Sequence, residues 1–492
     1  MKYKRFITGL FISLLYSQVV NAQFPKDTSY QSIQPPNLSL PDYLESVVDY
    51  SVPNAISIKR ITQYEPNWNW YPVHEYAKIQ PWNADASIYK FYAYAIYDAN
   101  THQMIRELPG SQIYPCYWSN TNSDLMYSFR ENGYIRTYSV STNTVTDLNT
   151  DIKGYDIVEL GPWEGNIDKN DKYVALVGKR GHDMDVIVFD LQLNQIVHTE
   201  IFSGAWGNGD DIPEFVDWVS VSQSGNYVGI MWDNIKTSEA NPFNSHYGVE
   251  IYNIIDMQYL RRIVNYGNHG DFGYAQDGNE VFVQLGGGTG TLNMFYLDTM
   301  QRVVLSENMD FDGAGHVSCR NINRPGYAYV SQDGAYFSGQ IIAFKLDNSG
   351  LVEHFGHHFS TSSSYLKSPM PVPAPNGDKI MFKSDFGDTT SDVIYVFESK
   401  IKNITSVRAT SSVKKLVNIY PNPAYNKIHI KSKTIIKSIT IYNCLGQTVK
   451  KIHNINNNLK IIDVSSLTKG IYFIEIMTLE GIMDKKIILS LK

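Results

Sequence analysis

Residues 276–306 read QDGNEVFVQLGGGTGTLNMFYLDTMQRVVLS, and this stretch contains the pattern that decides the fold. A tight QDGN turn precedes three short runs, EVFVQL (280–285), LNMFYLD (292–298) and RVVLS (302–306), which are rich in β-branched and aromatic side chains. Glycine and asparagine separate the runs too often for a helix of any length. The stretch therefore predicts consecutive strands joined by short turns.

The same phrase, a turn followed by short strands, recurs along the chain. The turns are NADAS (83–87), TNSD (121–124), KNDK (169–172), QSGN (223–226), QDGN (276–279), RPGY (324–327) and PNGD (375–378). They are spaced by about 38 to 54 residues, which fits a unit of four strands. Seven such units predict an all-β, seven-bladed β-propeller, and an open β-sandwich or two small sheets is the alternative.

The last unit shows only three strands and ends with DVIYVFE (392–398). The strand ISIKRIT (56–62) precedes the first unit and has no partner of its own. Pairing this strand with the last unit would close the ring and leave no exposed sheet edge. We therefore expect the N-terminal strand to complete blade seven.

Composition limits the classes of function. A formal net charge of -7, without a basic stripe, argues against nucleic acid as a partner. The three cysteines, Cys116, Cys319 and Cys444, are an odd set at wide spacing, which predicts buried free thiols instead of a disulfide framework. The chain lacks Gly-x-Ser-x-Gly, His-Glu-x-x-His and Cys-x-x-Cys motifs, so serine hydrolase, zincin and thioredoxin-like functions are disfavoured.

The N-terminus has the three parts of an export signal. Lys2, Lys4 and Arg5 precede the apolar run 6–20, and Val20-Asn21-Ala22 supplies the cleavage positions. We expect a signal peptide at 1–22 and no transmembrane segment after its removal. An N-terminal extension (23–54), the propeller (55–400), a polar linker (401–416) and a C-terminal domain (417–492) follow.

The amino-acid composition changes in the C-terminal domain, which is rich in Ile, Lys and Asn. It contains short alternating runs at 428–431, 436–442, 459–464, 471–477 and 485–491. These runs predict a small Ig-like β-sandwich.

Four motifs occur in order: YPNPAYNKIHI (420–430), IYNCLGQTVKK (441–451), IDVSSLTKGIYFIEI (462–476) and KKIIL (485–489). Together they resemble the C-terminal sorting domain of type IX secretion substrates. The resemblance implies an organism of the Bacteroidetes type, passage through the outer membrane, and a secreted or surface-attached product. It also implies the type IX machinery and a sortase-like peptidase as partners.

In a propeller, the loops that enter the innermost strands and those between second and third strands meet on one face around the central channel. Here that face is expected to gather GNHGD (267–271), DFDGAGHVSCR (310–320) and HFGHH (354–358). Imidazoles and carboxylates from adjacent blades are ordinary ligands of first-row metals. We expect Trp163, Trp206, Asp271 and Asp312 to bind a ligand on this face, although packing between blades uses tryptophan as well.

The turns that open the units also resemble those of TolB-like and oligogalacturonate-lyase-like propellers, over about residues 55 to 398. The resemblance to the lyases implies one divalent metal ion (Mn, Ca or Zn), with His269, His316 and His357 as its ligands. It further implies catalytic roles for His316 and for Arg320, the latter as charge stabiliser.

Three functions remain open at this point. The leading interpretation is an exported propeller that binds an extracellular glycan or surface protein on its His, Asp and Trp-rich face. The alternative is a metal-assisted polysaccharide lyase or hydrolase that acts on acidic sugars. The third is a structural scaffold at the cell surface.

Overall fold

The computed structural model describes residues 33–53, 55–64, 72–129, 133–148, 152–162, 164–232, 246–286, 290–307, 315–332, 339–401, 417–443, 448–453, 455–478 and 481–490. Within these ranges the chain forms strands, turns and two short 3₁₀ segments, Gly110–Gln112 and Tyr365–Lys367. The described part of the chain holds no helix with the length and apolar character needed to cross a membrane. The expected signal peptide and residues 402–416 of the expected linker lie outside the described residues.

Two N-terminal strands, β1 (Ser46–Asp49) and β2 (Ile56–Arg60), precede a series of antiparallel sheets. The first sheet contains β3 (Ile88–Phe91), β4 (Ala95–Asp98) and β5 (Met104–Glu107). The second to fourth sheets contain β6 (Cys116–Trp118), β7 (Leu125–Phe129), β8 (Ile135–Ser139) and β9 (Thr144–Asp147); β10 (Ile157–Leu160), β11 (Tyr173–Arg180), β12 (Asp183–Asp190) and β13 (Gln195–Phe202); and β14 (Val216–Val221), β15 (Tyr227–Trp232), β16 (Gly248–Asn253) and β17 (Tyr259–Val264).

The remaining sheets before residue 402 complete the series. They contain β18 (Gly270–Tyr274), β19 (Glu280–Gly286), β20 (Thr291–Tyr296) and β21 (Arg302–Ser306); β22 (Val317–Ser318), β23 (Tyr327–Gln332), β24 (Gln340–Lys345) and β25 (Val352–His357); and β26 (Val372–Pro373), β27 (Lys379–Ser384) and β28 (Tyr395–Ile401). The described residues thus form seven consecutive sheets, and the prediction of a seven-bladed propeller is confirmed.

Each predicted turn lies between the first and second strands of its blade. In blade one the first strand is reduced to a bridge between Trp82 and Tyr89. Gly225 and Gly278 occupy two of the turns with φ of +74° and +87°, the left-handed region that glycine adopts without strain. Adjacent blades approach one another at their first strands, as β18 approaches β22. The first strand of each blade is therefore the innermost.

The ring closes as the sequence predicts. Strand β2 pairs with β28, and Ile58 lies opposite Ser399 in the register. Ile56 and Ile58 are fully buried in a core that contains Phe382 and Phe397 of blade seven. Strand β1 then pairs with β2 and adds a fifth strand that the sequence did not predict. Hydrophobic burial therefore ties the N-terminal region to the last blade.

The C-terminal strands are β29 (Val417–Tyr420), β30 (Lys427–Tyr442), β31 (Thr448–Ile452), β32 (Asn457–Asp463), β33 (Gly470–Thr478) and β34 (Gly481–Leu489). Two runs predicted as separate strands form the single 16-residue strand β30. Its first half pairs with β29 and β32, and its second half pairs with β31 and β33. One strand thus serves both sides of a small β-sandwich whose core consists mainly of isoleucine.

Two of the cysteines are described, and both are buried free thiols, as predicted. Burial raises the pKa of the Cys116 thiol to about 11, and it raises the pKa of the Cys319 thiol well above its usual value. A buried thiol with a raised pKa is a poor nucleophile. Cys444 lies outside the described residues.

Candidate functional site

The central channel of the propeller is crossed by residues 72–80, which we call the channel segment. This segment precedes the innermost strand of blade one but reaches across to the later blades. The Gln80 side-chain amide donates to the carbonyl oxygens of Arg320 and Pro373, at 3.0 and 3.1 Å. At its other end, His74 Nε2 lies 2.8 Å from the Met370 carbonyl oxygen. Polar contacts to blades six and seven therefore hold the segment in place.

Lys78 fixes the middle of the channel segment. Its ammonium lies 2.7 Å from Glu164 Oε2, in blade three, and 4.2 Å from the centroid of the Trp218 ring, in blade four. Lys78 is buried, whereas the Glu164 side chain retains part of its exposure. An ion pair combined with a cation–π contact compensates for the desolvation of the ammonium.

Tyr76 packs against two histidines from the loops that enter blades five and six. The His269 and His316 ring centroids lie 4.5 Å apart. The Tyr76 ring meets His316 edge-on at 5.3 Å, and the Tyr76 hydroxyl lies 3.4 Å from His269 Nδ1. We call Tyr76, Lys78, Glu164, Asp217, His269 and His316 the central cluster.

Burial controls the protonation states in the central cluster. It raises the pKa of Glu164 to about 7, although the Lys78 ammonium acts in the opposite direction. It lowers the pKa of His269, against the negative charge of Asp217, and raises the pKa of Tyr76 well above its usual range. A carboxyl group with a pKa of about 7 can donate or accept a proton near pH 7, whereas an imidazole with a lowered pKa is neutral there and can accept a hydrogen bond.

Tyr365 lies at the outer end of the central cluster, and its ring centroid is 5.9 Å from that of His316. Tyr365 is 58% exposed and its neighbour Leu366 is 67% exposed. The next residue, Lys367, is buried: its ammonium lies 3.1 Å from Asp385 Oδ2 and donates to the carbonyl oxygen of Ser391 at 2.8 Å. The buried lysine anchors the loop that carries the two exposed side chains.

The structure places Asp271 and Arg320 together, but they bind each other. Arg320 donates to both Asp271 carboxylate oxygens, at 2.8 and 2.9 Å, and the Cys319 backbone N–H donates to Asp271 Oδ2 at 2.8 Å. Both side chains are buried. This bidentate pair joins blades five and six, which leaves the Asp271 oxygens occupied by protein donors instead of a ligand.

His357 does not join His269 and His316. It lies on β25, the outermost strand of its blade, where its Nδ1 lies 2.7 Å from Asp49 Oδ2 and its Nε2 lies 2.9 Å from the Ile33 carbonyl oxygen. This outermost strand lies far from the channel, and His357 faces the N-terminal extension instead. Within the described ranges, no group of three His, Cys, Asp or Glu side chains is arranged to hold a metal ion. The expected three-histidine metal site is therefore not assembled by these residues.

Trp206 is also not available to a ligand. It is fully buried in the core between blades three and four, and its indole N–H donates to the Gly209 carbonyl oxygen at 2.8 Å. Packing between blades determines the position of this ring. Trp163 and Asp312 lie outside the described residues.

Sequence reasoning missed Lys78, Asp217 and Tyr365. The run HEYAK (74–78) carries four polar or charged residues immediately before a blade, and this is the one signal that could have indicated the channel segment. Tyr365 stands in a Ser-rich loop with no motif around it. Its position depends on the burial of Lys367, which sequence alone does not indicate.

Residues 418–490 match the family described as the secretion system C-terminal sorting domain. The C-terminal sandwich is thus a type IX sorting domain, and the chain is a propeller protein exported by that system. It is secreted or attached to the cell surface via the outer membrane, and its sorting domain implies contact with the secretion machinery. No curated protein matches the chain in sequence.

Three solved structures illustrate the similarity in fold. Kuenenia stuttgartiensis hydrazine synthase is 11% identical, with 68% of this chain and 98% of that chain covered and a TM-score of 0.40. The Myceliophteria thermophila Cps50 (Swd1) β-propeller domain is 10% identical, with 66% and 96% covered and a TM-score of 0.38. PorZ, a surface component of the type IX secretion system of Porphyromonas gingivalis, is 10% identical, with 81% and 63% covered and a TM-score of 0.29.

Proposed function

We propose that this exported propeller binds an extracellular glycan on the channel face, with Tyr365 as the stacking platform. The observation that carries the proposal is an exposed tyrosine ring, fixed by a buried lysine, next to the ionisable side chains of the central cluster. Aromatic rings stack on the apolar faces of sugars, while nearby polar groups bind their hydroxyls. The sorting domain supports an extracellular setting for such a ligand.

Two features favour binding over metal-assisted lyase chemistry. Of the three expected metal ligands, only His269 and His316 lie together, and His357 is engaged by Asp49. Arg320, the expected charge stabiliser, is held by Asp271 and the Phe272 carbonyl oxygen. The channel segment also fills the centre of the ring, so a ligand would approach the rim where Tyr365 stands. A protein ligand is the alternative to a glycan on the same face.

Binding of neutral oligosaccharides to the mature full-length protein tests the proposal, first on a glycan array and then by calorimetry. Tyr365→Ala should weaken binding about tenfold, because removal of one stacking ring costs on the order of 1 to 2 kcal/mol. Tyr259→Ala is the matched control, since Tyr259 is 48% exposed but lies on the outermost strand β17. Equal affinities for the wild type and the Tyr365 variant, or no glycan bound at all, would contradict the proposal.

A further inference from the structure

Four lysines are buried among the described residues: Lys78, Lys90, Lys367 and Lys383. Three of them form ion pairs, with Glu164, Glu75 and Asp385 respectively. Lys383 is 5% exposed, and no hydrogen bond or ion pair of its ammonium is found among the described residues. Leaving a buried ammonium without a partner is expensive, so the exception requires an explanation.

Lys383 faces the channel segment. On β27 it points to the same side as Met381, which packs between blade seven and blade one. Its backbone N–H donates to the Pro369 carbonyl oxygen, while His74 of the channel segment contacts the carbonyl oxygen of Met370. The positive charge of Lys383 is the largest electrostatic influence on the His74 imidazole. The two residues therefore lie on the same two-residue segment, Pro369–Met370, close enough for the Lys383 charge to act on the imidazole.

His74 contributes an unsatisfied acceptor to this region. Because a carbonyl oxygen only accepts, His74 Nε2 must carry the proton that is donated to Met370. The other ring nitrogen, Nδ1, then presents a lone pair, and it is buried without a hydrogen-bond partner. Burial, together with the Lys383 charge, lowers the pKa of His74 to about 3, so the imidazole is neutral at neutral pH.

A donor and an acceptor that lie near each other select a ligand group that can bind both. A hydroxyl can accept from the ammonium and donate to the imidazole at once. A carboxylate or phosphate would need a proton on His74 Nδ1, and with a pKa of about 3 only about one molecule in ten thousand carries it at pH 7. The arrangement therefore favours a neutral, hydroxyl-bearing ligand over an anion.

We propose that Lys383 and His74 form a subsite for one sugar hydroxyl of the ligand. The proposal rests on the glycan-binding function above and deepens it, because Lys383 and His74 contact Pro369 and Met370, which directly follow the loop that carries Tyr365. Burial lowers the pKa of the Lys383 amine to about 8, so the amine is still mostly protonated at pH 7 and able to donate. Residues that are costly to the fold and lack an internal partner are typical of binding sites.

The first measurement follows Lys383 itself in the mature full-length protein. Acetic anhydride labels amines, and peptide mass spectrometry gives the labelling rate of each lysine. Saturating methyl β-D-glucopyranoside or glycerol should slow labelling of Lys383 at least severalfold, while Lys400, whose side chain is 50% exposed, serves as internal control. If neither probe slows labelling of Lys383, the subsite does not exist.

The second measurement uses affinity. Lys383→Met should weaken binding of methyl β-D-glucopyranoside about tenfold. One monodeoxy analogue of this sugar should bind the wild type more weakly than the parent sugar does. The Lys383→Met variant should bind this analogue and the parent sugar with equal affinity. The variant should unfold at or above the wild-type temperature, because it removes a buried unpaired charge. Lys383→Gln provides a second variant should methionine perturb the packing.

The outcomes separate the two proposals. Sugar binding that depends on Tyr365 but not on Lys383 overturns the subsite, which then holds a water molecule only, and leaves the proposed function intact. Protection of Lys383 by both probes, without any effect of Tyr365→Ala, supports the subsite and contradicts the stacking platform.

Discussion

The propeller buries ion pairs, such as Arg320 with Asp271 and Lys367 with Asp385, whereas the described residues of the sorting domain bury no charged side chain. Both regions consist of antiparallel β-strands. The sandwich core contains Ile428, Ile441 and Ile476 among many isoleucines, and its buried polar side chains are Ser432, Thr440 and Thr478.

The difference reflects what each region must hold in place. A buried ion pair adds little net stability, but its geometry fixes the loops that carry its two members. In the propeller these loops surround the channel, where Tyr365, His269 and His316 lie. The sandwich needs only a stable core, because its sorting motifs lie on strands and turns that hydrophobic burial already orders. Substitutions in the two regions and a pH series test this contrast.

The largest effect should come from opening the ring. Ile58→Asp places a carboxylate in the fully buried core between β2 and blade seven, and should cost about 4 kcal/mol or more, enough to detach β1 and β2. Chemical unfolding and limited proteolysis should show loss of the propeller with the sorting domain unchanged. Ile461→Asp, at a 50% exposed position of the sandwich, is the control and should cost less than about 1 kcal/mol. A propeller that unfolds at the wild-type denaturant concentration would show that closure by β2 is dispensable.

A smaller loss should follow from breaking one buried pair. Asp271→Asn leaves the Arg320 guanidinium buried without its counter-charge and should lower the free energy of unfolding of the propeller by about 3 to 5 kcal/mol. The control is Asp147→Asn in the exposed pair with Arg136, which should cost less than about 1 kcal/mol. Denaturant titration of both variants measures the difference. Similar losses at the two sites would mean that burial of the pair does not matter.

The smallest effect concerns pH. The pKa of Glu164 is raised to about 7 in the folded protein, so the folded state binds this proton more tightly than the unfolded state. Its contribution to stability is complete below the unfolded pKa of about 4.3 and is lost as pH rises towards 7, by about 1 to 3 kcal/mol. Glu164→Gln should remove that fall. Because Asp49 and Glu398 have lowered pKa values and act in the opposite direction, the wild-type minus variant difference is the quantity to follow.

The control for the pH series is Glu107→Gln, on the exposed outer strand β5. Free energies of unfolding are measured at pH 5, 6 and 7. Relative to Glu164→Gln, those of the wild type and of this control should fall as the pH rises. A difference that stays constant over this pH range would contradict the raised pKa. The sorting-domain transition should not respond to either substitution.

Local patterns predicted the fold well. The seven turns and the alternating strands are short-range features, so the blade count and the strand order could be read from them. The closing role of residues 56–62 was also predictable, because the last unit lacked one strand. The fifth strand β1 was not, since SVVD (46–49) is too short to indicate a strand by itself.

The site was predicted in part. The sequence indicated His269 and His316 by their place in the loops that enter blades five and six, and the structure brings their rings to 4.5 Å. It gave no means to tell that Asp271 pairs with Arg320, that Trp206 is core, or that His357 faces the N-terminal extension. The pair of Asp271 and Arg320 joins residues 49 positions apart, and the contact of His357 with Ile33 spans 324 positions. The core around Trp206 likewise combines residues of two blades.

The sequence by itself determined the β class, the seven blades and the four ordered motifs of the sorting domain, because turn chemistry and strand alternation act over a few residues. Only the tertiary structure decided which polar groups meet in the channel. The channel segment takes its position when the closed ring brings blades three, four, six and seven around it. Closure brings the inner edges of all blades to one axis, and no local pattern encodes which side chains meet there.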